Sequence, residues 1–256
     1  MQQPQFEFYG GSYKHRRKGH DRVYVDPERR AIAAIDGSHT ARLSRPVRRF
    51  LPQILDAYDD VRKSSTENAV RGVVHQLDNL KSWPFFPEPH ATLSLVCFDL
   101  RPQGIEIAHA VVGDASAHID YRVFPSENDP QRLIIHNPTK FWPQGNRRHV
   151  DTTQFLGRHR TMQQIRTQEL VGSLVVPYSA AWLAVVASDG APPVMIEGIM
   201  DQAQTIAEVG PTIMEQAPRR DDIAVAVVGL AGENVSHQIA ITPQYSRPIG
   251  QAALST

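Results

Sequence analysis

Apolar residues along this chain keep two spacings, and each change of spacing marks a change of element. Val23-Tyr24-Val25 and Ala31 to Ile35 read as short strands, and Asp26-Pro27 between them marks a turn, so the segment predicts a hairpin. Val47, Phe50, Leu51, Ile54, Leu55, Tyr58 and Val61 then follow one face of a helix. Ser64-Ser65-Thr66-Glu67 fits a capping box that opens a second helix, with Val70, Val73, Val74, Leu77 and Leu80 on its apolar face. The prolines of Trp83 to Pro89 exclude a helix and predict a loop, whose Trp83, Phe85 and Phe86 either pack beneath it or form a docking patch. Strands are predicted at Ala91 to Phe98, Ile105 to Val112 and Ala117 to Val123. Residues 125–150, rich in Pro, Asn, Arg and His, read as a long surface loop. Strands return at Leu174 to Val176 and Trp182 to Ala187, followed by a helix from Val194 to Val209. Closing strands are predicted at Ile223 to Leu230 and Ile239 to Ile241, and the tail after Pro243 has little to bury. Hairpins outnumber strand–helix–strand crossovers, which predicts an α+β fold with helices on antiparallel sheets.

Composition narrows the class. The 256 residues suit one sizeable core, and we expect a single domain over 1–256, with its core at about 8–242. Lys and Arg number 27, as do Asp and Glu, so net charge makes no case for nucleic acid or membrane. The basic runs His15 to Lys18 and Arg42 to Arg49 are local, and the second reads as a solvated helix start. The one cysteine, Cys97, lies in an apolar run and reads as a buried small hydrophobe. No apolar run approaches the roughly 20 residues of a bilayer span, and the N-terminus lacks a signal-peptide pattern, so a cytoplasmic location is expected.

The chemistry lies at the strand ends. The apolar run Ala31 to Ile35 ends in Asp36-Gly37, Leu183 to Ala187 runs into Ser188-Asp189-Gly190, and Ala108 to Val112 runs into Gly113-Asp114. Asp21 and the pair Asp221-Asp222 also border strands. From pattern alone these are either scattered turn aspartates or carboxylates gathered at one place. Gathered carboxylates stay ionised together only with cations between them, and an oxygen-only ligand set favours Mg²⁺ or Mn²⁺ over zinc.

The order of these motifs resembles the metal-dependent Ser/Thr protein phosphatases of the PPM, or type 2C, family. The family's R-x-x-N-E-D element is similar to Arg16-Arg17-Lys18-Gly19-His20-Asp21, and its D-G-x-G-G strand end to Asp36-Gly37-Ser38-His39-Thr40. Val112-Gly113-Asp114-Ala115 resembles V-G-D-S, and Thr153-Gln154-Phe155-Leu156-Gly157 resembles T-x-x-L-G. Ser188-Asp189-Gly190 matches S-D-G, and Asp221-Asp222-Ile223-Ala224-Val225 resembles D-N-x-(S/T)-V. The likeness spans roughly residues 8–230. It implies a four-layer α-β-β-α sandwich of two antiparallel sheets flanked by helices.

The resemblance also implies two Mn²⁺ or Mg²⁺ ions. Asp36 would bridge them, the Gly37 carbonyl would complete one shell, Asp189 and Asp221 would hold the other ion, and Asp21 would act through water. A third ion at Asp114 is left open, since Asp114 reads more readily as a turn cap than as a ligand. Arg16 matches the residue that grips the substrate phosphate, and His39, beside the D-G turn, is the candidate proton donor to the leaving group. The implied activity is hydrolysis of phosphoserine or phosphothreonine on proteins, with a cognate Ser/Thr kinase as partner. Six positions depart from the family pattern. His20 replaces Glu, Ser38-His39-Thr40 replaces the small residues after D-G, Pro193 stands where a further Asp is common, and Asp222 replaces Asn. The altered D-G turn and His20 leave the alternative of a scaffold that has kept the fold without turnover, and the segment between the V-G-D and L-G elements, which lacks the family's helical flap and looks trimmed, suits a phosphatase for small phosphorylated molecules.

Overall fold

The computed structural model describes residues 5–15, 20–37, 44–78, 91–122, 131–136, 171–230 and 244–245. The strands are β1 (Glu7–Tyr13), β2 (Arg22–Asp26), β3 (Ala31–Gly37), β4 (Ala91–Arg101), β5 (Gly104–Val112), β6 (Ser116–Arg122), β7 (Gln131–His136), β8 (Val171–Val176), β9 (Ala181–Ala187), β10 (Ile223–Leu230) and β11 (Gln244–Tyr245). The helices are α1 (Ser44–Ala57), α2 (Asp59–Ser64), α3 (Thr66–Asp78), α4 (Pro193–Gln202) and α5 (Ile206–Gln216). One sheet has the order β2-β3-β4-β5-β8, the other β11-β1-β10-β9-β6-β7. Every pairing is antiparallel except β1 with β11.

Three apolar clusters separate four layers, as the resemblance implies. In β3, Ala31, Ala33 and Ile35 pack with Val47, Leu51 and Val73 of the helices, while Ile32 and Ala34 face the second sheet. In β10, Ala224, Ala226 and Val228 point inward and Ile223, Val225 and Val227 meet Ile196, Ile213 and Met214 of α4 and α5. Strands buried on both faces read as continuous apolar runs, which is why AIAAI and IAVAVVGL lack alternation. Cys97 is buried in the helix-side cluster, and burial pushes its thiol pKa up to about 12.

Several elements depart from expectation. The first helix breaks at Tyr58, and the phase shift leaves Val61 exposed while Arg62 turns inward to donate to the Arg29 carbonyl at 2.5 Å. Phe50, expected on the buried face, is also exposed. The cap of α3 is Ser65, whose Oγ accepts from the Asn68 N–H at 3.2 Å, one residue later than the predicted box. Glu67 instead binds Arg71 and Ser173, joining α3 to β8. The helix expected over Val194 to Val209 is two helices, broken so that Met200 and Val209 both reach the same sheet. The stretch 125–150 contains β7 and is not all loop. Leu80, Trp83, Phe85, Phe86, the Thr153–Gly157 element and Ile239–Ile241 lie outside the described residues. No helix among the described residues is long and apolar enough to cross a membrane.

Candidate metal centre

Strand direction brings the acidic strand ends together. In the five-stranded sheet β3 and β5 run the same way, and β2 runs opposite to β3, so Asp36, Asp114 and the residue before β2, Asp21, share one end. In the other sheet β9 ends and β10 begins at that end, bringing Asp189 and Asp222. Alternation along β3 puts Asp36 on the same face as Ile32 and Ala34, toward the second sheet.

One carboxylate oxygen each from Asp36, Asp114 and Asp189 lies within 4.8 Å of the others. Asp21 is buried behind them and hydrogen-bonds Asp36 and Ser188. Burial, with the charges of Asp189 and Asp222 adding to it, pushes the Asp21 carboxyl up to about 7 against the pull of those hydrogen bonds. Asp36 is raised well above the ordinary carboxylate range, first by burial and then by Asp21, Asp189 and Asp114. A group of acids this crowded either shares protons or takes up a cation.

Local hydrogen bonding fixes the Asp189 turn and Asp222. Ser188 continues the β9–β10 ladder: its N–H donates to the Ala224 carbonyl and its Oγ accepts from the Ala224 N–H, both at 2.9 Å. The turn carrying Asp189 is thus sewn to β10. Gly190 completes that turn, and a Cβ there would lie 2.0 Å from the Asp222 carbonyl oxygen, so no other residue fits.

Asp222 is the residue that sequence reasoning undervalued. It is buried, and its two carboxylate oxygens accept from the backbone N–H groups of His15 at 2.7 Å and His20 at 2.5 Å. It therefore brackets the segment that carries Arg16. Two donors converging on one side chain are better served by a carboxylate, with two acceptor atoms, than by an amide with one. Asp221 is exposed, outside the three-carboxylate group, with its Oδ1 accepting from the Asp222 N–H at 2.8 Å. Gly37 is buried at the end of β3. His20 sits beneath the start of α1, where the Ser44 Oγ donates to its carbonyl at 2.6 Å. Arg16 and His39 lie outside the described residues.

Solved structures share this architecture. The serine/threonine phosphatase PstP of Mycobacterium tuberculosis superposes with a TM-score of 0.59 at 16% identity, over 88% of this chain and 98% of that one. This is the type 2C phosphatase fold. The serine-threonine phosphatase 2C of Toxoplasma gondii superposes with a TM-score of 0.59 at 15% identity, over 89% and 97% of the two chains. Stp1 of Staphylococcus aureus gives 0.54 at 12%, over 90% and 96%. A further structure of the PstP catalytic domain, in complex with two manganese ions, gives 0.56 at 16%, over 88% and 98%. No protein-family model matches the sequence. No characterised protein matches it at the sequence level.

The acidic end suits a hard divalent cation. Its donors are all oxygens, their mutual charge needs offsetting, and the Asp21 Oδ2 is buried with no hydrogen-bond partner among the described residues.

Proposed function

We propose that this chain is a metal-dependent phosphatase acting on phosphoserine and phosphothreonine in proteins, in the cytoplasm and opposite a Ser/Thr kinase. The observation that supports the reading is the convergence of Asp36, Asp114 and Asp189 at one end of a fold otherwise seen in phosphatases. Asp36, the Gly37 carbonyl, Asp189 and Asp221 would hold two Mn²⁺ or Mg²⁺ ions, with Asp21 behind them and Asp114 offering a third position. Such ions lower the pKa of coordinated water and offset charge on a phosphoryl group.

The chain's own residues would supply the rest. Arg16 would grip the phosphate through its planar guanidinium, and Asp222 would set where Arg16 stands by holding His15 and His20. His39 would give its proton to the departing serine or threonine oxygen. Asp21 would keep Asp36 oriented through their shared hydrogen bond.

The test is hydrolysis of a phosphoserine peptide by the purified chain with added Mn²⁺. We expect turnover that stops with a chelator and returns with metal. Bound Mn²⁺ without turnover of any phosphate ester would overturn the reading and favour the scaffold.

A further inference from the structure

Outside the acidic end, the charged side chains fall into two groups. Arg29 pairs with Asp26 and Asp56, Arg30 and Arg62 with Asp99, and Arg101 with Glu106. Arg45 and Arg48 are exposed on the first turns of α1 and, like Arg49, Arg219 and Arg220, pair with no carboxylate among the described residues. They stand near a third arginine. Arg22, half-buried at the start of β2, is held by the bond from its Nη1 to the Asp21 carbonyl at 2.6 Å. The Ser44 Oγ bond to the His20 carbonyl pins the start of α1 over this same segment. α1 packs on β2, and the charges of Arg45 and Arg48 act with burial to lower the Arg22 pKa against the opposing pull of Asp21 and Asp222.

The sheet sets where this basic group points. Arg22 shares its face of β2 with Tyr24, which packs in the helix-side cluster, whereas Asp36 points toward the second sheet. The arginines and the carboxylates therefore flank the same end of the sheet from opposite faces. Arg22 pairs with Ile35, the residue before Asp36, so the basic and acidic groups border one end of the sheet within a few residues' reach of an extended peptide.

We propose that Arg22, Arg45 and Arg48 form a recognition surface for acidic residues a few positions from the phosphorylated residue of a protein substrate. The use of the surface in catalysis rests on the phosphatase reading; its affinity for an acidic peptide does not.

The experiment compares kcat/KM for two phosphoserine peptides, one with Glu at the third positions on either side and one with Gln there, at low and high salt. The wild-type chain should favour the acidic peptide by about tenfold, and the preference should shrink as salt screens it. In the Arg45→Ala/Arg48→Ala variant the ratio should fall to near one, which a general loss of activity cannot mimic because it cancels in a ratio. No wild-type preference, or a preference unchanged in the variant, overturns the proposal. If the chain hydrolyses neither peptide, fluorescence anisotropy of the labelled acidic peptide decides separately. Salt-sensitive binding weakened in the variant supports the surface while the phosphatase reading fails. Absence of binding, or binding to phosphatidylserine vesicles in its place, overturns the proposal.

Discussion

Replacing Asp222 tests the claim that this buried carboxylate is a clip. In Asp222→Ala the N–H groups of His15 and His20 both lose their acceptor. A hydrogen bond to a charged group contributes about 1.5–3 kcal/mol, and the partly buried setting of these two favours the low end, giving a loss of about 3 kcal/mol. Repulsion moves the other way, because Asp222 is one of the charges that raise Asp21. Removing it returns about 1 kcal/mol at most, so a net cost of about 2 kcal/mol remains. Asp222→Asn keeps one acceptor and aims an amide N–H₂ at a donor, so it should cost about 1 kcal/mol despite being nearly isosteric. The control is Asp221→Asn, whose exposed side chain keeps its Oδ1 and should stay within about 0.5 kcal/mol of wild type. Urea denaturation of the metal-free chain at neutral pH measures all three. An Asp222→Asn variant as stable as Asp221→Asn would refute the clip.

Other outcomes follow from the same geometry. In Asp36→Asn, Mn²⁺-dependent turnover should fall by orders of magnitude, and retention of near-native turnover would remove Asp36 from the centre. The raised acids Asp21 and Asp36 bind protons more tightly when folded, so their contribution is complete below pH about 4 and is lost as pH rises through their raised folded values, about 7 for Asp21. Without metal, Asp36→Asn should therefore gain stability relative to wild type as pH rises above about 4, a comparison in which the buried His109 cancels; a flat difference would contradict the shift. Gly190→Ala should displace the Asp189 turn from the Asp222 carbonyl and weaken Mn²⁺ binding measured by calorimetry, whereas unchanged binding would mean the turn adapts freely. His39→Ala should slow a phosphoserine peptide about 10²-fold more than an aryl phosphate, whose phenolate leaves without a proton; equal losses would exclude His39 as the acid.

Much of the architecture was legible because it depends on local pattern. Strands buried on both faces announce themselves as unbroken apolar runs, and acids at their ends stand out against that background. What escaped depends on pairing across the chain. β1 reads as no strand because Gly10-Gly11 interrupts it, yet Val25 Cγ2 lies 2.6 Å from where a Cβ on Gly10 would stand, so close packing against β2 demands the glycine. The break at Tyr58 is set by Arg62, whose partners are the Arg29 carbonyl and Asp99, and no helical periodicity reports such partners. Asp222 looked like a minor variation on Asn beside the acid Asp221; its value lies in donors some two hundred residues away. The acids Asp36, Asp114 and Asp189 were visible one by one, but only strand direction brings them within reach of one another.

The acidic end draws on segments from Asp21 to Asp222, and on both sheets. No one hairpin can assemble it, so during folding its repulsion arises only when the sheets dock, after most local pairing is complete. A cation that relieves the repulsion would then have little to grip in the transition state and much to grip in the native protein. Metal should therefore leave the rate of folding nearly unchanged and slow unfolding instead, making the ion a kinetic lock on the docked sheets.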